Sequence, residues 1–232
     1  HVRESGCPLS CILWRSVTPA LGEEEMVRFE DVEEWASALK GRVYESTPNR
    51  ILADCFKELH FGDDALHLFA RRFFKIPELK AEQVQILTKL LKGQSAVGIL
   101  PTGYGKSLIY QLYSILVPGL TVVISPLRSL IRDQIFNLSC QGIRCVEAIF
   151  SADEQDRDVK RSLESVNPDA TRLLYLAPER LRIRQFVEEF EAFSMNTRVN
   201  LIAVDEAHCV SEWGHDFRPS YLQIALFRKR LE

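Results

Sequence analysis

The sequence has no marked excess of charge of either sign: 29 Lys and Arg stand against 32 Asp and Glu, a formal net charge of -3 over 232 residues. That excludes a chain-wide basic field, so any nucleic-acid site has to be local. Metal-like cysteine spacing is missing too. Of six cysteines, only Cys7 with Cys11 and Cys140 with Cys145 come close together. No Cys/His set completes a zinc pattern, and free thiols in a reducing compartment are the plainer reading. There is no internal repeat, no low-complexity tract and no signal-peptide pattern. No membrane span is expected either. Residues 107–127 carry no charge, but Pro118 and Gly119 interrupt them, and a helix followed by a buried strand fits better. The chain opens on His rather than Met, as expected of a piece of a longer protein, and we expect that protein to be intracellular.

What is there is a composition 46% apolar and 26% charged. A chain of this length can bury the core of one large α/β domain, or of one domain with a small appendage. Residues 1–22 hold Pro8, Pro19 and Gly22 without a clear period and read as loop or short irregular structure. Residues 23–39 read as an acidic helix, with Glu23, Glu24, Glu25, Glu30, Asp31, Glu33 and Glu34 forming a solvated face that would repel phosphate. Thr47-Pro48 opens a further helix, in which Ile51, Leu52, Cys55, Phe56 and Leu59 share one side. Residues 63–74 read as another. Gly62 marks the expected boundary between an N-terminal helical segment, 1–62, and the main domain, 63–232.

From Leu79 onward helices and strands alternate. Helices are predicted over 81–91, 106–116, 129–140, 154–166, 182–193 and 221–230, and strands over 95–100, 120–125, 144–149, 172–176 and 200–204. Stretches such as Thr121-Val122-Val123-Ile124 and Leu201-Ile202-Ala203-Val204 are apolar on both faces. This is how parallel strands read when helices cover both sides of a sheet. The expected fold is a mostly parallel, doubly wound α/β sheet with ligands at the carboxyl ends of its strands.

Two such ends carry chemistry. Leu100-Pro101-Thr102-Gly103-Tyr104-Gly105-Lys106-Ser107 joins an apolar strand to a helix. Glycines let a backbone approach phosphate, and the helix N-terminus offers its N–H groups. Thr102, Gly103, Tyr104 and Gly105 would form the cradle, Lys106 would reach the terminal phosphates, and the Ser107 hydroxyl would sit on Mg²⁺. The full P-loop pattern has Gly where this chain has Leu100, and an ordinary strand-to-helix turn is the competing reading. The second end is Asp205-Glu206-Ala207-His208, after the strand at 200–204. A first carboxylate there can serve Mg²⁺ and a second can orient or deprotonate water. The following Cys209–Pro219 stretch holds Trp213, His215, Phe217 and Arg218, suited to stacking on unpaired bases; Trp213 and Phe217 are equally suited to anchoring a core.

These segments, with Ser125-Pro126-Leu127-Arg128-Ser129-Leu130-Ile131-Arg132-Asp133-Gln134 and Tyr175-Leu176-Ala177-Pro178-Glu179-Arg180-Leu181, resemble the ordered motifs of RecQ-type superfamily 2 DNA helicases. Trp213-Gly214-His215-Asp216-Phe217-Arg218 is the most specific of them. The resemblance runs from about residue 74 to the end and implies one RecA-like P-loop NTPase lobe.

It implies ATP and Mg²⁺ as ligands. Lys106 would contact the β- and γ-phosphates, Ser107 and Asp205 would serve the metal, and Glu206 would activate water. His208 would link the ATP site to the DNA-bound loop, in which Trp213, His215, Phe217 and Arg218 couple single-strand binding to hydrolysis. Ser125, Pro126 and the 175–179 stretch would track the DNA backbone. The adenine-reading motif keeps Phe74 and Gln83 but departs at Lys75, Leu79, Lys80 and Ala81; Gln83 can still read the adenine edge.

The resemblance implies an ATP-dependent DNA helicase moving 3′ to 5′ on single-stranded DNA, with duplex DNA as its other partner. A second RecA-like lobe outside this sequence would supply the arginine finger. The lobe alone is expected to turn over little ATP. An RNA-dependent ATPase, and a degenerate lobe that only docks nucleic acid or protein, are the alternatives. The motor reading needs Lys106 and Asp205 to face each other across the tips of neighbouring strands.

Overall fold

The computed structural model describes residues 63–117, 119–149, 163, 166, 172–195, 197–210 and 218–231, together with the backbone of 9–16. The helices expected over 23–39 and from Thr47 lie outside the described residues, as does nearly all of the one expected over 154–166.

Six strands form one sheet in the order β2-β1-β6-β3-β5-β4. They are β1 (Leu9–Ser16), β2 (Ala96–Pro101), β3 (Leu120–Ile124), β4 (Val146–Ile149), β5 (Leu173–Leu176) and β6 (Val199–Val204). β6, β3, β5 and β4 run parallel. The helices are α1 (Asp63–Phe74), α2 (Ala81–Leu91), α3 (Lys106–Leu116), α4 (Arg128–Cys140), α5 (Arg184–Ser194) and α6 (Ile224–Leu231). Short 3₁₀ turns cover Pro178–Arg182, Ala207–Val210 and Pro219–Gln223.

Every residue of β3, β5 and β6 is buried, as their two-sided apolar sequences require. Alternate side chains feed two cores. Val123, Leu173, Tyr175, Leu201 and Ala203 pack with α1, α2 and α3 on one face. Val122, Leu174, Leu176, Ile202 and Val204 pack with Phe186, Phe190 and Phe227 of α5 and α6 on the other. The doubly wound α/β architecture expected of a RecA-like lobe is therefore present. β2 lies at the edge of the sheet, with Val97 and Ile99 exposed.

The N-terminal stretch corrects one expectation. Residues 9–16 are not loop: β1 lies antiparallel between β2 and β6, pairing Leu9 with Pro101 and Trp14 with Ala96 on one side. On its other side it pairs Leu13 with Val204 and Ser16 with Leu201. The pairing partners sit more than 80 residues away in sequence, and a strand defined by distant partners leaves little local signature. A second consequence follows for the site. β2 and β6 are not neighbours, as the sequence reading supposed, but are one strand apart.

Candidate active site

The turn after β2 has the backbone that its sequence requires. Gly103 and Gly105 adopt φ of +76° and +81°, in the left-handed region that glycine enters without penalty. Gly105 is also the residue from which α3 starts. A Cβ on Gly105 would stand 2.7 Å from the Gln83 Nε2 atom.

Gln83, on α2, is buried and fully engaged with this turn. Its amide nitrogen donates to the carbonyls of Tyr104 (3.1 Å) and Gly105 (3.0 Å), while its Oε1 accepts from the Lys80 backbone N–H at 2.9 Å. Only the second lone pair of Oε1 is left for another donor. Tyr104 is fixed from outside the turn: its hydroxyl donates to Glu82 at 2.5 Å, and the Lys80 ammonium lies 3.7 Å from its ring centroid. That hydrogen bond lowers the Glu82 pKa and raises that of the Tyr104 phenol.

Lys106 is buried, and its Nζ donates to the carbonyls of Leu100 (3.2 Å) and Pro101 (3.1 Å). It bends back over the turn from which it starts. Ser107 follows it at the N-terminus of α3, half-buried.

Asp205 continues β6 beyond Val204: its N–H donates to the Ile124 carbonyl at 2.8 Å. The carboxyl is buried, and one oxygen accepts the Glu206 N–H at 3.0 Å. Burial, reinforced by the charge of Glu206, pushes its pKa up to about 6; the Lys106 ammonium pulls the other way, so amine and carboxyl are within electrostatic reach across β1. Glu206 itself has φ +50°, a conformation unusual for a residue with a side chain. It is half-buried, and the His208 Nδ1 lies 3.2 Å from its Oε2.

Trp213, His215 and Phe217 lie outside the described residues. Arg218, which closes that stretch, is described. Its backbone N–H donates to the Cys209 carbonyl at 3.0 Å. Its Nη1 donates to the Pro126 carbonyl at 2.9 Å and to Glu179 Oε1 at 3.3 Å. One guanidinium thus joins the three segments that the sequence comparison set apart: 125–134, 175–181 and 205–219. Ser125 and Pro126 are buried, so direct exposure at this corner falls to Leu127, Arg128 and Ser129.

Sequence reasoning missed the groups behind the site. Tyr221 donates its hydroxyl to the Asp205 carbonyl at 2.9 Å. Gln111 donates to Gln134 at 2.7 Å. The visible signal was polarity inside an apolar run: Tyr110 and Gln111 interrupt an otherwise core-forming face of 108–116.

The residues present fit a magnesium nucleoside triphosphate. A buried ammonium whose hydrogen bonds among the described residues go to carbonyls, a helix N-terminus with a hydroxyl, and a buried carboxyl that a nearby cation would stabilise are the donor set such a ligand needs. Among the described residues no group of three or more His, Cys, Asp or Glu side chains could hold a metal alone. Mg²⁺ is usually held by one or two protein groups together with substrate phosphates.

Residues 80–230 match the DEAD/DEAH box helicase family. The chain belongs to that family. Within it, the chain is similar to RecQ-type members. It is 38% identical over 157 residues to an ATP-dependent DNA helicase Q-like 2 of Arabidopsis thaliana, covering 67% of this chain and 22% of that one. It is 37% identical over 161 residues to a probable ATP-dependent DNA helicase RecS of Bacillus subtilis, covering 69% and 31%. An ATP-dependent DNA helicase RecQ of Haemophilus influenzae is 39% identical over 152 residues, covering 65% and 23%. The helicase lobe thus spans less than a third of the length of these relatives, and their likeness bears out the RecQ-type resemblance. Among its described residues no helix is long and apolar enough to cross a membrane.

Proposed function

We propose that this chain is the ATP-binding motor lobe of an ATP-dependent DNA helicase of RecQ type, acting inside the cell. In the whole protein it would translocate 3′ to 5′ on single-stranded DNA. Residues 63–232, with β1 from the N-terminal segment, would form the lobe. A second RecA-like lobe of the same protein would supply the arginine finger.

The observation that carries this reading is the convergence at one end of the sheet. Lys106 and Asp205 come within electrostatic reach there, and Arg218 ties the Asp205–Pro219 segment to Pro126 and Glu179.

In this reading Lys106 leaves the Leu100 and Pro101 carbonyls for the β- and γ-phosphates of ATP, which offer it full negative charge in their place. The backbone N–H groups of the turn and of the first turn of α3 line the phosphate cradle. Gln83 braces the turn, and its remaining Oε1 lone pair is the acceptor for an adenine amino group. Ser107 and Asp205 would hold Mg²⁺, which when bound would screen the phosphate charge. Glu206 takes the proton of the attacking water, and His208, 3.2 Å from its carboxylate, holds it in place. Those aromatic side chains and His215 would stack on unpaired bases, and the segments of Ser125-Pro126 and Glu179 would follow the DNA backbone.

The test is ATP hydrolysis by the full-length protein with and without single-stranded oligodeoxythymidine. Hydrolysis stimulated by DNA and abolished by Lys106→Ala is expected. Stimulation by RNA alone would transfer the reading to an RNA-dependent ATPase. Biological activity of the full protein that survives Lys106→Ala unchanged would favour a docking lobe.

A further inference from the structure

A chain of buried and half-buried polar groups runs from the nucleotide end of α3 into the sheet. Gln111 lies one helical turn beyond Ser107. It is 8% exposed in a helix whose neighbours Ile109 and Leu112 are core. Its Nε2 donates to Gln134 Oε1 on α4 at 2.7 Å and lies 3.4 Å from the Tyr175 hydroxyl on β5. The Tyr175 ring meets Tyr110 edge to face, with centroids 6.2 Å apart. The Tyr110 hydroxyl is buried without a hydrogen-bond partner of ordinary geometry among the described residues. It is near enough to Ser107 and to Asp205 to feel both.

Apolar side chains would fill these positions at lower cost, because each buried polar group must be matched or it destabilises the core. What the polar groups add is direction. A hydrogen bond of 2.7 Å has one geometry, whereas a Leu packed there would tolerate sliding of α3 against α4. Gln134 closes the segment that opens at Ser125-Pro126, and Tyr175 opens the one that runs on to Glu179.

We infer that Gln111 is a positioning residue: through Gln134 and Tyr175 it ties the state of the phosphate-binding end of α3 to the placement of the two DNA-facing segments. The inference rests on the motor reading above. Movement of Ser107 and Lys106 on nucleotide binding is transmitted one turn along a rigid helix, and the bond to Gln134 carries it into α4. Gln111 touches neither nucleotide nor DNA.

The test uses the full-length protein, ATP and single-stranded oligodeoxythymidine. Gln111→Met removes the amide at nearly constant volume. It is expected to lower the fold-stimulation of ATPase by DNA about tenfold, while the KM for ATP moves by less than about twofold. Gln134→Met, at a half-exposed site that tolerates substitution, is expected to do the same, and the double variant to be no worse than the worse single one. A role in packing alone would depress basal and stimulated rates together. Should Gln111→Met fail to fold, Gln134→Met decides by itself. Stimulation retained within about twofold in Gln134→Met, or losses that multiply in the double variant, overturns the inference while the motor reading stands. A wild-type protein that hydrolyses ATP with no response to DNA overturns both.

Discussion

The Tyr221 hydroxyl and the Asp205 carbonyl oxygen are 2.9 Å apart, a buried bond that fixes the peptide between Asp205 and Glu206 from below. The same peptide donates its N–H to the Asp205 carboxyl. Both bonds hold Glu206 in its left-handed conformation, and Tyr221 sits three residues past Arg218. The acid proposed to activate water is therefore braced by Tyr221, just past the stretch proposed to bind nucleic acid. Tyr221→Phe deletes one hydroxyl and strands a buried carbonyl. A loss of about 1–3 kcal/mol in urea unfolding of the full chain is expected, with kcat for ATP falling more than KM rises. An unchanged kcat would show that Glu206 keeps its place unaided.

Gly103 and Gly105 separate two costs of a side chain in the phosphate turn. Gly103→Ala meets no atom within 4 Å and pays for φ +76° alone. Gly105→Ala pays the same backbone cost and also drives a methyl to 2.7 Å from the Nε2 of Gln83, whose amide group is held by three hydrogen bonds, two of them from Nε2. The first is expected to destabilise the fold by roughly 1–2 kcal/mol and the second by clearly more. Equal denaturant midpoints for the two variants would count against the Gln83 brace.

Asp205 sets a pH dependence for the metal-free protein. Its carboxyl titrates near pH 6 in the fold against an ordinary 3.8. Between those values the folded state holds a proton that the unfolded chain has released, so stability falls as pH rises through this window. Above pH 6 the whole penalty is present, on the order of 3 kcal/mol for a shift of this size. Asp205→Asn should therefore raise the melting temperature at pH 8 without Mg²⁺ and leave it nearly unchanged at pH 4. Mg²⁺ added together with a non-hydrolysable ATP analogue should stabilise the wild type more than the variant. Identical melting at pH 8 would mean that the buried charge costs nothing.

Arg218 is expected to matter little for stability and much for coupling. Its pairing with Glu179 is part-exposed, and such pairs contribute under about 1 kcal/mol. Arg218→Ala should shift the denaturation midpoint slightly yet sharply reduce the stimulation of ATPase by single-stranded DNA. Glu179→Gln keeps the bond from Arg218 to Pro126 and should retain most of the stimulation. Equal losses in both variants would mean that the ion pair, rather than the link to Pro126, does the coupling.

Much of this was legible in the residues because its causes are local. The helices over 63–74, 81–91 and 106–116 were expected with the bounds they have, since helical period and glycine or proline boundaries lie within a few residues of each other. Uncharged, two-sided strands announced a sheet covered on both faces, and strand-turn-helix and strand-acid patterns announced the two strand ends at which the proposed site lies. Tertiary structure alone decided what depends on distant partners. β1 exists because β2 and β6 offer it two ladders, which nothing in residues 9–16 declares. Gln83 braces the phosphate turn because α2 packs against a loop more than twenty residues further on. Arg218 and Gln111 join segments far apart in sequence, where hydrogen bonds form only once the two cores have brought donor and acceptor together.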